Sequence, residues 1–198
     1  MRVLSRIGPT STDADVARSL AGGDLEALAL LYDRYGALAF SLAVRILGDQ
    51  GLAEDVVQDS FLNVWNGAAS FDSSRGSVRA WLCTVVRNRA IDVLRGRSSH
   101  GRREVDLGGA ENVGDTTLDS DPWRRVSAAM ERDAVRDALG TLPVEQRQAV
   151  ELAYYGGYSQ REIAQISNVP VSTVKGRMRL GLEKLHSYLA GKGVLGDR

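Results

Sequence analysis

The sequence predicts an all-α protein made of two small helical domains. Apolar residues recur at three- and four-residue spacing in several separate segments, which is the period of amphipathic helices. No segment alternates apolar and polar residues as a half-buried strand does. A stretch rich in Ser, Gly, Asp and Arg, without apolar periodicity, separates the helical segments of the first half from those of the second half. We therefore predict domains at residues 13–97 and 122–190, joined by a flexible linker at 98–121.

The first two helices are delimited by caps and glycines. Residues 1–12 have the composition of a frayed start. Asp13 or Asp15 can cap a short helix that ends at residues 22–23, since aspartate caps and glycine stops are common signals. Asp24 can cap a longer helix that ends at Leu47 before a glycine. The apolar positions of this longer helix are Leu28, Leu31, Tyr35, Leu38, Leu42 and Ile46.

Two further helices complete the first domain. One spans residues 52–66, and its apolar positions are Val56, Val57, Phe61, Val64 and Trp65. Its other side carries Asp55, Gln58, Asp59 and Leu62. After a loop at residues 67–76, the next helix spans about residues 77–95 and buries Trp81, Leu82, Val85, Val86, Ile91 and Leu94. Trp65, Trp81 and the single cysteine, Cys83, are interpreted as packing residues.

The second domain contains a helix-turn-helix pattern. A helix opening at Pro122 is expected to run to Gly140. Ser159 and Glu162 then form a capping-box pair at the start of a short helix. The chain is expected to turn at Asn168, and Pro170 prevents this helix from continuing.

The helix from Val171 onward has two distinct faces. Its predicted buried stripe is Val174, Met178, Leu182 and Leu185. The remaining positions are small, polar or cationic, so this helix can approach base edges in the major groove of DNA. These candidate residues for DNA binding are Ser172, Thr173, Lys175, Gly176, Arg177 and Arg179.

Composition and charge narrow the function classes. The chain has 198 residues, 43% of them hydrophobic, which suits two small domains. One cysteine and two isolated histidines, His100 and His186, predict no disulfide, metal site, cofactor or catalytic residue. We find no signal peptide and no apolar run long enough to cross a bilayer, which favours a cytoplasmic protein that is not membrane-embedded.

The net charge of zero conceals a basic segment. Residues 73–103 contain eight arginines and one acid, Asp92. The net charge is therefore a poor guide to the binding partners of this chain. The arginines are Arg75, Arg79, Arg87, Arg89, Arg95, Arg97, Arg102 and Arg103.

Three blocks of the chain, in this order, resemble the extracytoplasmic-function group of bacterial RNA polymerase sigma factors. The blocks are LYDRYGALAFSLAVRILGDQGLAEDVVQDSFLNVW, FDSSRGSVRAWLCTVVRNRAIDVLR and LPVEQRQAVELAYYGGYSQREIAQISNVPVSTVKGRMRLGLEKL. The resemblance implies a sigma factor that binds core RNA polymerase and directs promoter-specific initiation. It implies the clamp coiled coil and flap of the polymerase, promoter DNA and an anti-sigma factor as partners, and no small-molecule substrate.

The resemblance also implies a role for each surface. The residues expected to bind the polymerase are Asp55, Gln58, Asp59 and Leu62. The loop at 71–77 is expected to form a pocket for an extruded base. The residues expected to recognise and melt the -10 element are Arg75, Arg79, Arg87, Asn88, Arg89 and Arg95. The helix from Val171 reads the -35 element. The chain departs from the family pattern at Val78, where an aromatic is common, at Gly176, where serine is frequent, and at Leu180, often a basic residue.

Two other functions remain as alternatives from the residues. A free-standing helix-turn-helix regulator would need a sensory or phospho-accepting first domain, usually α/β, and the helical first half speaks against it. A DNA-acting enzyme with a helix-turn-helix tail would need metal ligands, and acidic pairs such as Glu54 and Asp55 have no such neighbours in the sequence.

Overall fold

The computed structural model describes residues 7–98 and 133–194. The chain divides into two compact units, an N-terminal unit at residues 1–118 and a C-terminal unit at residues 119–198. The described part is helical and contains no strand. Its helices are α1 Asp13–Ala21, α2 Leu25–Leu47, α3 Gln50–Gly67, α4 Val78–Ser98, α5 helical over 133–140, α6 Val144–Tyr154, α7 Gln160–Ile166 and α8 Val171–Gly191.

The start of the N-terminal unit differs from the prediction. The cap of α1 is Thr12, whose hydroxyl accepts from the backbone N–H of Asp15 while the Asp15 carboxylate accepts from the backbone N–H of Thr12. The expectation that Asp13 or Asp15 caps this helix is therefore wrong, because Asp15 supplies the other half of a capping box. Residues 7–12 are not frayed: Arg34 donates to the carbonyl oxygens of Pro9 and Ser11 at 3.0 and 2.6 Å.

Helix α2 is the central helix of this unit and packs against α1, α3 and α4. Its predicted limits are confirmed, since Asp24 caps the first turn and Gly48 ends the helix with a φ of 66°. Its centre is lined by small side chains, which let neighbouring helices approach closely; the buried alanines are Ala27, Ala39 and Ala43. By length and composition α2 could cross a bilayer, so the prediction that no such run exists is wrong.

Helices α3 and α4 pack against α2 and against each other. Asp49 caps α3, which begins at Gln50, two residues before the predicted start. Val56, Val57, Phe61 and Val64 are buried as predicted, whereas Trp65 is half-buried. On α4 the buried residues include Leu82, Val86 and Ile91. The bundle therefore turns one face of α3 and one face of α4 toward solvent.

The C-terminal unit has a smaller core. Leu152, Ile163, Ala164 and Val174 form one buried cluster in which α6, α7 and α8 meet. The predicted capping box at Ser159 and Glu162 and the turn at Asn168, with a φ of 49°, are confirmed. The predicted linker and the opening of a helix at Pro122 lie outside the described residues.

One predicted core residue of α8 is exposed. The stripe was expected to include Leu182, but Leu182 is 52% exposed. Gly181 is buried in its place, where a β-carbon would lie 3.2 Å from Cγ2 of Val150 on α6. The close crossing of α6 and α8 at a glycine shifts the buried stripe by one residue, and it passes through Val174, Met178, Gly181 and Leu185.

Candidate nucleic-acid interface and docking face

The outward face of α3 presents the residues predicted for polymerase docking. Asp55 and Gln58 are exposed, Leu62 is 56% exposed, and Asp59 is half-buried. They lie on this face because the opposite side of α3 is occupied by its buried valines and Phe61. We define Asp55, Gln58, Asp59 and Leu62 as the docking face predicted from the sequence. It combines carboxylates, an amide and an apolar side chain, and so suits a partner helix with arginines and a small apolar spot.

An aromatic residue that the sequence analysis missed lies on the neighbouring helix α2. The ring of Tyr32 packs against Phe61 of α3 with centroids 5.0 Å apart, and Tyr32 remains 51% exposed. A β-carbon built at Gly36 would lie 3.4 Å from the Tyr32 ring, which is an ordinary van der Waals contact, so this packing does not depend on glycine. Tyr32 could not be recognised from spacing because it lies outside the predicted apolar stripe of α2.

Helix α4 carries most of the side chains predicted for -10 recognition. Asn88 and Arg95 are exposed, while Arg79, Arg87 and Arg89 are half-buried. Arg75 ends the short helical turn Ser73–Arg75, and its side chain lies outside the described part. These positions give α4 a surface with cationic groups and one amide.

Arg79 lies close to two titratable groups in the bundle. Burial raises the pKa of the Cys83 thiol, and the positive charge of Arg79 acts against this increase. Burial also raises the pKa of Tyr35, and its hydrogen bond to Asp13 acts in the same direction. The raised pKa of Cys83 keeps the thiol protonated, which agrees with the interpretation of Cys83 as a packing residue.

Arg89 is paired with a residue from the predicted docking set. Its Nε and Nη2 atoms donate to the same carboxylate oxygen of Asp59, Oδ2, at 3.0 and 2.7 Å. The side chains remain 42% exposed for Arg89 and 46% for Asp59. Residues assigned to two different partners are therefore joined by one ion pair between α3 and α4.

The loop before α4 is held by local contacts. The rings of Phe71 and Trp81 lie with centroids 5.0 Å apart and an interplanar angle of 33°. Asp72 caps the turn that follows by accepting from the backbone N–H of Ser74 at 2.9 Å. Gly76 has a φ of 152°, which favours glycine, and the next apolar residue, Val78, is buried. Val78 therefore contributes to the core of the bundle.

The first turns of α8 present the side chains predicted for -35 recognition. Ser172, Lys175 and Arg179 are exposed, and Gly176 has open space where a β-carbon would lie. At about 100° per residue, positions 172, 176 and 179 lie opposite the buried stripe. Thr173 and Arg177 are half-buried and lie on one flank.

The cationic charge of α8 is partly balanced on the helix itself. Arg179 donates to Oε1 of Glu183 at 2.8 Å, one turn further along. Both side chains are mostly exposed, at 68% and 55%, so a phosphate can replace this carboxylate at little cost.

Comparison with family models identifies both units. Residues 31–100 match the model of sigma-70 region 2, and residues 132–185 match that of sigma-70 region 4. A relative named ECF RNA polymerase sigma factor SigK, from Mycobacterium bovis, is 37% identical over 186 residues, covering 90% of this chain and 95% of the relative. The chain belongs to the ECF sigma factors.

A second SigK relative agrees with this assignment. SigK of a Mycobacterium species, strain KMS, is 35% identical over 191 residues, covering 93% of this chain and 94% of the relative. Among solved structures, Rhodobacter sphaeroides SigE in complex with the anti-sigma ChrR is similar with a TM-score of 0.46 at 28% identity, covering 92% of this ECF sigma factor and 99% of that chain.

Membership of this family establishes the general activity. The chain is a sigma factor that directs transcription initiation, and its region 2 and region 4 units bind RNA polymerase and promoter DNA. A free-standing regulator with an α/β first half is not supported, since the described residues of the N-terminal unit are helical.

Proposed function

We propose that the two units divide promoter recognition between them by means of particular side chains. In the N-terminal unit, the docking face of α3 binds the clamp coiled coil of the polymerase. The packing of α3, with its exposed acid, amide and apolar side chains, against the arginine-rich helix α4 in one bundle is the observation that supports this assignment most strongly. A single rigid bundle can hold polymerase on one helix while the adjacent helix faces the DNA.

The arginines and Asn88 of α4 then recognise and melt the -10 element. Melting requires a surface that binds unpaired DNA better than duplex, and arginines beside a pocket for an extruded base can provide it. Asn88 is exposed among these arginines and supplies amide groups for base contact. The loop at 71–77 forms the base pocket, and Arg75, Arg79, Arg87, Arg89 and Arg95 bind the strand backbone.

The C-terminal unit places the start of α8 in the major groove of the -35 element. Ser172, Gly176 and Arg179 approach base edges, while Lys175, Arg177 and Thr173 contact the flanking backbone. Each bidentate contact to a base contributes about 1–3 kcal/mol of discrimination. The phosphate contacts contribute affinity that decreases with salt concentration.

The cellular setting follows from the family. We expect a cytoplasmic protein that makes and breaks no covalent bond and is held inactive by an anti-sigma factor. Such a factor would cover the docking and DNA-binding surfaces. The flap of the polymerase is the expected partner of the C-terminal unit.

The docking assignment is tested with purified core polymerase. Asp55→Arg reverses a charge on the docking face, and we expect the Kd for core to rise at least tenfold, with a parallel loss of run-off transcripts. Glu26→Arg makes the same charge change at an exposed position at the start of α2, outside the docking face, and serves as the matched control. Equal core affinity of the two variants would contradict the assignment.

The -35 assignment is tested on promoters selected from the host genome. Arg179→Ala should reduce run-off transcription from promoters that depend on their -35 element, while Lys184→Ala removes one cation from another exposed position of α8. If both variants lose the same activity, then α8 contributes charge alone and the proposed base readout fails.

A further inference from the structure

The ion pair between Asp59 and Arg89 connects two helices with different partners. Asp59 lies on α3, one turn after Asp55, and Arg89 lies on α4, 30 residues later in the chain. Both donated hydrogen bonds, from Nε at 3.0 Å and Nη2 at 2.7 Å, end on a single oxygen of Asp59. Two bonds to one oxygen fix the orientation of the guanidinium group, since it is planar and rigid.

The pair contributes little to the stability of the bundle. Both side chains are nearly half exposed, and ion pairs in contact with water contribute little to folding. The bundle already packs α3 against α4, and both helices contribute buried residues to its core, such as Val56 and Val86. The main physical effect of the carboxylate is therefore on where the guanidinium lies.

A guanidinium group held in this way keeps donors for another ligand. Arginine has five N–H donors, and Asp59 accepts two of them. The remaining donors belong to Nη1 and to the second hydrogen of Nη2, on the edge away from Nε. This geometry suits a phosphate oxygen, which arginine binds through two parallel N–H groups.

We propose that Asp59 is a positioning residue for the promoter DNA and acts through Arg89, rather than serving as a polymerase contact. Asp59 holds the guanidinium at the seam of α3 and α4, so that the free edge of Arg89 binds the backbone of the -10 strand. The proposal depends on the proposed DNA-binding role of Arg89. It removes Asp59 from the predicted docking residues and leaves Asp55, Gln58 and Leu62 as the docking face.

The test uses the complete chain assembled with core polymerase. Promoter affinity is measured against salt concentration for the wild type, Asp59→Ala, Arg89→Ala and the double variant. Loss of one phosphate contact lowers the slope of log K against log salt by about 0.7–0.9. We expect Asp59→Ala and Arg89→Ala each to show this change and to reduce promoter affinity by roughly tenfold.

The double variant shows whether the two residues act together. If Asp59 acts through Arg89, the double variant has the slope and affinity of Arg89→Ala alone. Asp59→Ala combined with Arg95→Ala is the matched control, because Arg95 lies six residues further along α4 and its effect should add to that of Asp59→Ala. Asp59→Glu retains a carboxylate and should recover most of the salt slope, which a purely structural role would not predict.

Other results would overturn the proposal. If Asp59→Ala weakens binding to core polymerase tenfold and its effect adds to that of Arg89→Ala, then Asp59 is a polymerase contact. If Asp59→Ala and Asp59→Asn both increase promoter affinity, then the carboxylate only repels DNA. If Arg89→Ala leaves promoter affinity and the salt slope unchanged, then Arg89 does not bind DNA, and the proposed function of this residue is contradicted. The other outcomes contradict only the positioning role of Asp59.

Discussion

The N-terminal and C-terminal units support their proposed DNA-binding helices in very different ways. Helix α4 is packed against α2 and α3 and contributes Val78, Leu82, Val86, Ala90 and Ile91 to a large core. Helix α8 has only Val174 and Gly181 fully buried, and it rests on a small cluster from α6 and α7. One unit is a bundle with two working faces, whereas the other is a minimal support for one helix.

This difference relates to what each unit must do. A surface that melts DNA while it holds polymerase must keep two faces in fixed register, and a continuous core achieves this. Reading the major groove needs one exposed helix at the correct angle, for which three short helices are sufficient. The small unit has less stability in reserve, because small domains bury a smaller fraction of their surface.

The strongest test of this contrast is the removal of one core side chain from each unit. Ile163 and Leu82 are each 1% exposed, and truncation to alanine costs about 2–5 kcal/mol at such sites. We expect Ile163→Ala to unfold the C-terminal unit at 37 °C and abolish transcription that depends on the -35 element. Leu82→Ala should leave the larger bundle folded but less stable, as measured by hydrogen exchange of each unit. An equal loss of protection from hydrogen exchange in both units would show that the two units have similar free energies of unfolding.

A second test compares a buried ion pair with an exposed one. Arg34 is 6% exposed, donates to Asp13 at 2.9 Å and anchors residues 9–13 to α2. Asp13→Ala leaves this charge buried without its carboxylate, so we expect a loss of about 3 kcal/mol of unfolding free energy in the N-terminal unit. Glu183→Ala breaks the exposed pair with Arg179 and should cost at most about 1 kcal/mol. Denaturant unfolding measures the loss of unfolding free energy in both variants. Similar losses would contradict the idea that the buried pair of Arg34 and Asp13 stabilises the fold more than an exposed pair does.

Much of this architecture could be predicted from the sequence because local signals specify it. The caps at Asp24 and Ser159 and the turn at Asn168 depend on residues close in the chain. The burial of Arg34 could not be predicted, since a basic residue on a helix is normally solvated. Leu182 was misplaced because a glycine, which pattern counting does not treat as apolar, occupies the helix crossing.

The candidate sites divide in the same way. The exposure of Asp55, Gln58 and Leu62 follows from helical periodicity and could be predicted. The pairing of Asp59 with Arg89 joins two helices that are 30 residues apart, and no local pattern indicates which acid meets which arginine. Long-range polar contacts are therefore what the structure adds to the site.

The pH dependence of the N-terminal unit provides a third, smaller test. Burial and the hydrogen bond to Asp13 raise the pKa of Tyr35 above its ordinary value of 10.0. A raised pKa favours the neutral tyrosine in the folded state, so its contribution is complete below pH 10 and is lost as the unfolded chain deprotonates above pH 10. The slope for this single group is at most about 1.4 kcal/mol per pH unit, and the total loss is limited by the size of the pKa shift, which solvent screening reduces because water reaches this side chain.

The measurement compares wild type with Tyr35→Phe. Unfolding free energy of the N-terminal unit, followed from pH 9 to 11, should fall more steeply in the wild type. The variant lacks the titrating hydroxyl and should be less stable at neutral pH but have the flatter profile. Identical profiles would mean that Tyr35 titrates normally.

The prediction with the smallest expected effect on stability compares a glycine in each of the two proposed DNA-binding helices. Gly96 on α4 and Gly176 on α8 both lie inside helices, and no atom lies within 4 Å of a β-carbon built at either position. Alanine at either site should therefore stabilise its unit by about 0.5–1 kcal/mol, because glycine loses more backbone entropy in a helix. Only Gly176 lies on the face proposed to approach base edges.

We expect Gly176→Ala to alter the ranking of -35 sequences in run-off transcription, and Gly96→Ala to leave promoter choice unchanged. If Gly176→Ala stabilised the unit without changing this ranking, the first turns of α8 would not approach the bases as closely as proposed.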